Sequence, residues 1–147
     1  PTTLNLAVFS INAADAVIAA HPEIEHWALG GHSLGGSMAA RYAQAHPDMV
    51  TGLALLASYP DIDLSSYALD AVVIYGSLDG LATVEKVEST RSLLLQAAQW
   101  VLIEGGNHAQ FGWYGDRAGG GPATMSREAQ QAERTAAVGA VLGRLSE

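Results

Sequence analysis

The sequence has no cysteine among its 147 residues, which excludes disulfide bonds, thiolate metal sites and cysteine nucleophiles. Basic residues are scarce as well, because 7 lysines and arginines stand against 15 aspartates and glutamates, for a formal net charge of −8. We therefore expect no binding of nucleic acid through charge. Charged residues make up only 15% and hydrophobic residues 49%, a composition that favours a folded chain over a disordered one.

Long apolar runs are also missing. The longest, such as residues 53–57 and 71–75, have five residues, whereas a helix that crosses a bilayer needs about 20. The N-terminal segment has neither the basic start nor the long apolar stretch of a signal peptide. We therefore expect no membrane span and a cytoplasmic location. The length favours a single domain over residues 1–147.

Glycine and proline divide the chain into alternating strand-like and helix-like segments. Apolar runs predict four strands, at residues 26–30, 51–57, 71–75 and 100–103. Helices are predicted over residues 13–20, 34–45, 84–98 and 127–145, and Asn12, Thr83 and Ser126 are placed to cap the first, third and fourth. Unbroken apolar strands joined by helices are typical of a parallel sheet covered on both faces. The predicted fold class is α/β, with about four parallel strands.

Three polar residues follow predicted strands, at the sheet edge where open α/β proteins gather their reactive groups. Ser33 lies in a G-x-S-x-G pattern between a strand and a helix, Asp79 follows the third strand, and His108 follows the fourth. A serine hydroxyl needs a base to become a nucleophile, and the base needs an orienting carboxylate. These three residue types in this order favour nucleophilic catalysis.

The G-x-S-x-G pattern predicts a sharp turn that strains the serine backbone and exposes its hydroxyl. We expect side chains at Gly31 and Gly35 to collide in such a turn. Gly36 is expected to let the following helix lie close to the sheet.

Other histidines and carboxylates compete for the roles of base and acid. Four histidines occupy less suitable positions than His108: His21, His26, His32 and His46. We expect His32, beside the serine, to pack sideways against the turn. Asp61 and Asp63 also follow a strand, but in a longer polar loop, and they rank second to Asp79.

Three stretches resemble α/β-hydrolase-fold esterases and lipases. Residues 28–36 (ALGGHSLGG) are similar to the nucleophile elbow of that family, residues 75–80 (YGSLDG) to its acid turn, and residues 105–108 (GGNH) to the segment that carries its catalytic histidine. Residues 106–115 resemble a bacterial subgroup of small hydrolases. The resemblance covers essentially the whole chain and implies Ser33 as nucleophile, Asp79 as acid and His108 as base.

The same resemblance implies a serine hydrolase that acts on a small carboxylic ester through an acyl-enzyme, without cofactor or metal. The amide of Leu34 is the expected oxyanion donor, and residues 2–9 are the open candidate for a second one. Four aromatic side chains either bind substrate or simply cover the sheet end, and the sequence leaves both open: Tyr59, Phe111, Trp113 and Tyr114.

The chain departs from the family at its start. Family members carry several further strands before the elbow, whereas only residues 1–25 precede the predicted elbow strand here. The chain therefore resembles the C-terminal half of the family domain, a truncated fold. Two alternatives to an enzyme stay open: a non-catalytic half-domain that serves as an assembly module, and one piece of a larger cleaved hydrolase. The strand at residues 26–29 would lie at an open edge unless residues 4–9 fold back beside it, so we expect a homodimer.

Overall fold

The computed structural model describes residues 12–113, 115 and 118–145. Its strands are β1 (Trp27–His32), β2 (Val50–Leu56), β3 (Asp70–Gly76) and β4 (Gln99–Ile103), and its helices are α1 (Asp15–Ala20), α2 (Leu34–Ala45), α3 (Val84–Glu88) and α4 (Arg127–Arg144). Short 3₁₀ turns lie at Arg91–Leu93 and Ala109–Phe111. The four strands form a parallel sheet in the order β1-β2-β3-β4, which confirms the predicted fold class.

The sheet is covered on both faces at its centre. Residues 71–76 of β3 are all buried, although successive side chains of a strand point to opposite faces. Helix α4 packs on the face that carries Gly52 and Leu56 of β2, since Leu56 lines a groove with Val138 and Leu142 of that helix. Helix α2 packs on β1 and β2.

Helix α2 has the predicted bounds and buries one side. Tyr42 is 3% exposed while Arg41 is exposed. The Tyr42 hydroxyl donates a hydrogen bond of 2.6 Å to Asp15 at the start of α1. Burial, together with this bond to a carboxylate, raises the pKa of Tyr42 to about 12. The pair ties α1 to the buried side of α2.

Two of the three predicted helix caps are present. The Thr83 hydroxyl accepts a hydrogen bond from the Lys86 amide at 3.3 Å, and the Ser126 hydroxyl accepts one from the Ala129 amide at 3.1 Å. The prediction for Asn12 is wrong, because α1 begins only at Asp15 and its N-cap residue makes no side-chain hydrogen bond.

Helix α3 ends ten residues earlier than predicted, at Glu88. The hydroxyl of Ser89 donates to the carbonyl of Lys86, and that of Thr90 to the carbonyl of Val87, both at 2.7 Å. Side-chain bonds of this kind offer the backbone an alternative to further helical turns. The chain continues as a 3₁₀ turn instead.

Strand β1 lies at the edge of the described sheet. It pairs with β2, and no other strand in the described part of the chain lies beside it. Ala28 and Gly30 are exposed on the same face of the sheet as Gly52.

Among the described residues, no helix is both long and apolar enough to cross a membrane.

Candidate active site

Ser33 occupies a strained turn between β1 and α2. Its backbone angles are φ 54° and ψ −126°, in the left-handed half of the map that residues with a Cβ rarely adopt. The turn is held on both sides, because the Ser33 amide donates to the Leu56 carbonyl and the Ser33 carbonyl accepts from the Gly36 amide, each at 2.9 Å. The backbone has the shape expected of a nucleophile elbow.

The three glycines around Ser33 differ in whether a side chain would fit in their place. A Cβ at Gly31 would lie 2.3 Å from the carbonyl carbon of Gly35, so the predicted collision exists there. A Cβ at Gly35 would meet nothing within 4 Å, so the prediction for Gly35 is wrong. The backbone of Gly35 leaves no room for a side chain at Gly31, whereas a side chain at Gly35 itself would meet no other atom. A Cβ at Gly36 would lie 2.5 Å from the Ser58 hydroxyl oxygen, which confirms that α2 approaches the sheet closely.

Asp79 and His108 form a buried pair beyond the ends of β3 and β4. The distance between Asp79 Oδ2 and His108 Nδ1 is 2.8 Å, and the side chains are 0% and 1% exposed. The other carboxylate oxygen of Asp79 accepts hydrogen bonds from the amides of Leu81 and Ala82, both at 2.8 Å. The carboxylate is therefore oriented by three donors, one of which is the imidazole.

A cavity of about 260 Å³ brings the serine and the histidine together. Ser33 and His108 both line it, and the other lining residues are Leu34, Ser37, Ala57, Ser58, Tyr59, Leu81 and Ala82. The second ring nitrogen of His108, Nε2, is buried and has no hydrogen-bond partner among the described residues. Since Nδ1 is occupied by Asp79, Nε2 is the nitrogen left to exchange a proton.

The competing carboxylates make other contacts. Asp61 forms an exposed ion pair with Arg41, with 2.7 Å between Oδ2 and the guanidinium nitrogen. Asp63 accepts hydrogen bonds from the hydroxyl and the amide of Ser65, which lower the pKa of Asp63. Of the three candidates, Asp79 is the one bonded to His108.

His32 lies against the base, a contact that the expected packing against the turn did not include. Its ring centroid is 4.6 Å from that of His108, and its Nε2 is 3.1 Å from the His108 carbonyl oxygen. The ring also stacks on Phe111 at a centroid distance of 6.1 Å. The residue before the serine thus contacts the loop that carries the histidine.

The remaining site candidates are spread out. Leu34, the first residue of α2, and Tyr59 line the cavity. Phe111 is buried against His32, and Trp113 is 74% exposed with the Arg127 guanidinium 5.2 Å from its ring centroid. Tyr114 and residues 2–9 lie outside the described residues.

Ser58 is a cavity residue that the sequence analysis missed. It is 3% exposed, and its hydroxyl has no hydrogen-bond partner among the described residues. It follows Ala57, whose φ of 45° gives the cavity a second strained backbone position. The rule that selected Ser33, Asp79 and His108, a polar residue just after a strand, would have found it.

In the described part of the chain, no three His, Asp or Glu side chains gather around one point.

A serine on a strained strand-to-helix turn, with a buried Asp–His pair beyond two further parallel strands, defines the class of α/β proteins that carry a nucleophile elbow. The sequence agrees: residues 1–132 match the Alpha/beta hydrolase family. The chain belongs to this family. A search of curated protein sequences found no match.

Solved structures with this fold include an esterase, a lipase and a predicted hydrolase. A thermophilic esterase from Thermogutta terrifontis superposes with a TM-score of 0.66 at 12% identity, covering 87% of this chain and 69% of the esterase. A monoacylglycerol lipase from Paleococcus ferrophilus superposes with a TM-score of 0.63 at 13% identity, and the match covers 92% of this chain and 76% of the lipase. A predicted CIB-like hydrolase from Thermoplasma acidophilum gives 0.60 at 18%, covering 71% of this chain. The chain spans about half of that hydrolase, 51% of its length.

Proposed function

We propose that the protein is a serine hydrolase of carboxylic esters that works through an acyl-enzyme, with Ser33 as nucleophile, His108 as base and Asp79 as acid. The observation that carries the proposal is the buried Asp79–His108 pair, which leaves His108 Nε2 unpartnered on the cavity that Ser33 also lines. An esterase and a lipase among the structural neighbours support an ester as the substrate.

The proposed chemistry follows from the two ring nitrogens. With Nδ1–H donated to Asp79, Nε2 carries the lone pair that takes the Ser33 proton while the serine oxygen bonds to the ester carbonyl carbon. The tetrahedral intermediate collapses, the C–O bond to the alcohol breaks, and His108 returns the proton to the departing alkoxide. Water then attacks the acyl-enzyme, with His108 again as base, and the free acid and the serine hydroxyl are restored.

The oxyanion in this scheme is held at the start of α2. Leu34 is the first residue of that helix, whose leading amides have no partner within the helix and whose dipole is positive at this end. Loss of one oxyanion donor typically costs about 10²–10³ in rate. Residues 2–9, which lie outside the described residues, stay the open candidate for a second donor.

The cavity favours a short ester. Its volume of about 260 Å³ lies just below the range of roughly 300–1,000 Å³ usual for drug-sized ligands. Tyr59 is the proposed aromatic wall, since it lines the cavity, whereas Phe111 packs against His32 and does not line the cavity. Roles for Trp113 and Tyr114 in substrate binding stay predictions.

A fluorophosphonate probe tests the nucleophile directly. Ser33 should attack phosphorus and displace fluoride, His108 taking the hydroxyl proton, so that the probe adds once to the folded protein. Peptide mapping should place the label on Ser33 and not on Ser37 or Ser58, the other two serines of the cavity. Ser33→Ala should abolish both labelling and hydrolysis of p-nitrophenyl acetate.

Variants of the other two residues complete this test. His108→Ala should lose nearly as much activity as Ser33→Ala, because triad members act as a unit. Asp79→Asn should lower the rate of hydrolysis severely. Asp63→Asn is the matched control and should leave that rate unchanged. Near wild-type hydrolysis by Ser33→Ala or His108→Ala would refute the proposal.

A second proposal concerns assembly, and the position of β1 at the edge of the sheet formed by the described residues favours it. Unpaired amides and carbonyls at a strand edge are a template for another chain, and a two-fold dimer is the simplest closed solution. We propose a homodimer that buries surface beside Ser33. Light scattering after size exclusion at micromolar concentration should give twice the chain mass of 15.3 kDa.

Ala28→Lys places a charge on the exposed face of β1 and should shift the dimer to monomer, whereas Gln96→Lys, on an exposed loop residue, should not. A fully active wild-type monomer would overturn this proposal. A dimer that no fluorophosphonate labels would instead favour the non-catalytic assembly module. Independence from cofactors and a cytoplasmic location stay predictions, as does a single domain over residues 1–147.

A further inference from the structure

Helix α4 turns a row of polar side chains toward the loop that carries His108. Arg127, Gln130, Gln131 and Arg134 recur at helical spacing, so they lie on one stripe of the helix. Each donates to a backbone carbonyl in residues 107–112, here named the histidine loop. The bonds are Gln130 to Asn107 (2.8 Å), Arg127 to Ala109 (3.1 Å) and to Gly112, Gln131 to Gln110 (3.3 Å), and Arg134 to Phe111 (3.0 Å).

The one carbonyl of the histidine loop that α4 does not hold is that of His108, which lies 3.1 Å from His32 Nε2. Side chains thus contact all six carbonyls of the loop. A loop without strand or long helix normally satisfies its carbonyls with water or its own turns. Here its path is set by a helix that begins fifteen residues after it ends.

Gln130 is the centre of this arrangement. It is 0% exposed, and both ends of its amide bond to Asn107: Oε1 accepts from the Asn107 amide at 3.0 Å, and Nε2 donates to the Asn107 carbonyl at 2.8 Å. Asn107 is the residue directly before His108. The fit is close, because a Cβ at Gly106 would lie 3.1 Å from the Gln130 amide.

We infer that Gln130 is a positioning residue for His108, an inference that rests on the proposed hydrolase function. By fixing both backbone groups of Asn107 it sets the origin of the His108 side chain, and hence the placement of Nε2 toward Ser33 and of Nδ1 toward Asp79. Gln130 does not line the cavity and acts through Asn107. A displacement of about 1 Å in such a group costs on the order of 10²-fold in rate.

The test compares Gln130→Met, which keeps size and loses both hydrogen bonds, with Val141→Ala as control. Val141 is another buried residue of α4, 2% exposed, and it lies about three helical turns beyond Gln130. Both variants weaken the packing of α4, but only Gln130→Met removes hydrogen bonds to Asn107. Gln130→Met should lower kcat for p-nitrophenyl acetate and the rate of fluorophosphonate labelling roughly 10- to 100-fold with KM unchanged. Val141→Ala should leave both rates within about twofold once folded.

A readout without turnover separates this inference from the proposed function. The proton on His108 Nδ1, bonded to Asp79, should give a downfield NMR resonance in the wild type and in Val141→Ala. In Gln130→Met it should shift and broaden. If the wild type is not labelled at Ser33, the proposed function fails, and the resonance alone still tests the positioning.

Unchanged rates or an unchanged resonance in folded Gln130→Met would overturn the inference. Equal losses in Gln130→Met and Val141→Ala would overturn it as well, since they would show a general effect of α4 packing. If Gln130→Met does not fold, Gln130→Glu decides, because it keeps the acceptor for the Asn107 amide and loses the donor to the Asn107 carbonyl. Its kcat should fall several-fold with KM unchanged, and a wild-type kcat would contradict us.

Discussion

Replacing Ser33 by glycine should stabilise the fold relative to replacing it by alanine. Both variants lack the hydroxyl, so neither should hydrolyse an ester, and the comparison isolates the backbone. At φ 54° and ψ −126° a residue with a Cβ is strained, whereas glycine adopts such angles freely. The pair therefore tests the elbow without any assumption about the substrate.

The magnitude follows from two opposing terms. A residue held in a sparsely populated backbone region costs about 1–3 kcal/mol. Glycine loses more backbone entropy on folding than alanine, about 0.5–1 kcal/mol. The free energy of unfolding of Ser33→Gly should exceed that of Ser33→Ala by roughly 0.5–2 kcal/mol. For a domain of this length that is about 2–6 °C in Tm.

Ser37 supplies the matched control four residues along. It lies within α2, where glycine should be less stable than alanine by about 1 kcal/mol. Urea unfolding of the four variants should therefore give opposite signs at the two positions. If Ser33→Gly is less stable than Ser33→Ala, as at Ser37, the turn is not strained and the elbow geometry is wrong.

The remaining predictions concern the turn glycines and one buried tyrosine. Gly31→Ala should destabilise the protein by about 1–3 kcal/mol, because its Cβ would lie 2.3 Å from the Gly35 backbone. Gly35→Ala should be neutral or stabilising. Equal effects of the two variants in urea unfolding would contradict the packing described. Tyr42→Phe removes the hydrogen bond to Asp15 and should lower stability at pH 8 by about 1 kcal/mol. Because the pKa of Tyr42 is raised to about 12, above its unfolded value of 10.0, the stability it contributes is full below pH 10 and is lost as the pH rises toward 12. The deficit of Tyr42→Phe should therefore shrink between urea titrations at pH 8 and pH 11, and a constant deficit would refute the assignment.

Local chemistry made much of this fold predictable from the sequence. Helix α2 runs over the predicted residues because a strand, a glycine-rich turn and a His-Pro stop enclose it. Thr83 and Ser126 cap their helices because a hydroxyl there reaches an amide three residues on, within a single turn. Asn12 shows the limit of such signals, since a capping residue does not cap unless the chain turns at that point.

The sequence by itself determined the order of the strands along the chain and the loop that follows each strand, including the loops with Ser33, Asp79 and His108. Alternation of apolar and glycine-rich segments is enough for that, because carboxyl ends of parallel strands meet at one edge of the sheet. Only the tertiary structure decided which side chains those loops meet. The hydrogen bond between Asp79 and His108, the ring contact of His32 with His108 and the hydrogen bonds of Gln130 to Asn107 all join segments far apart in the chain. Hydrogen bonds from a side chain to a distant backbone leave no periodicity or spacing in a sequence, since any polar residue can make them once packing brings it close.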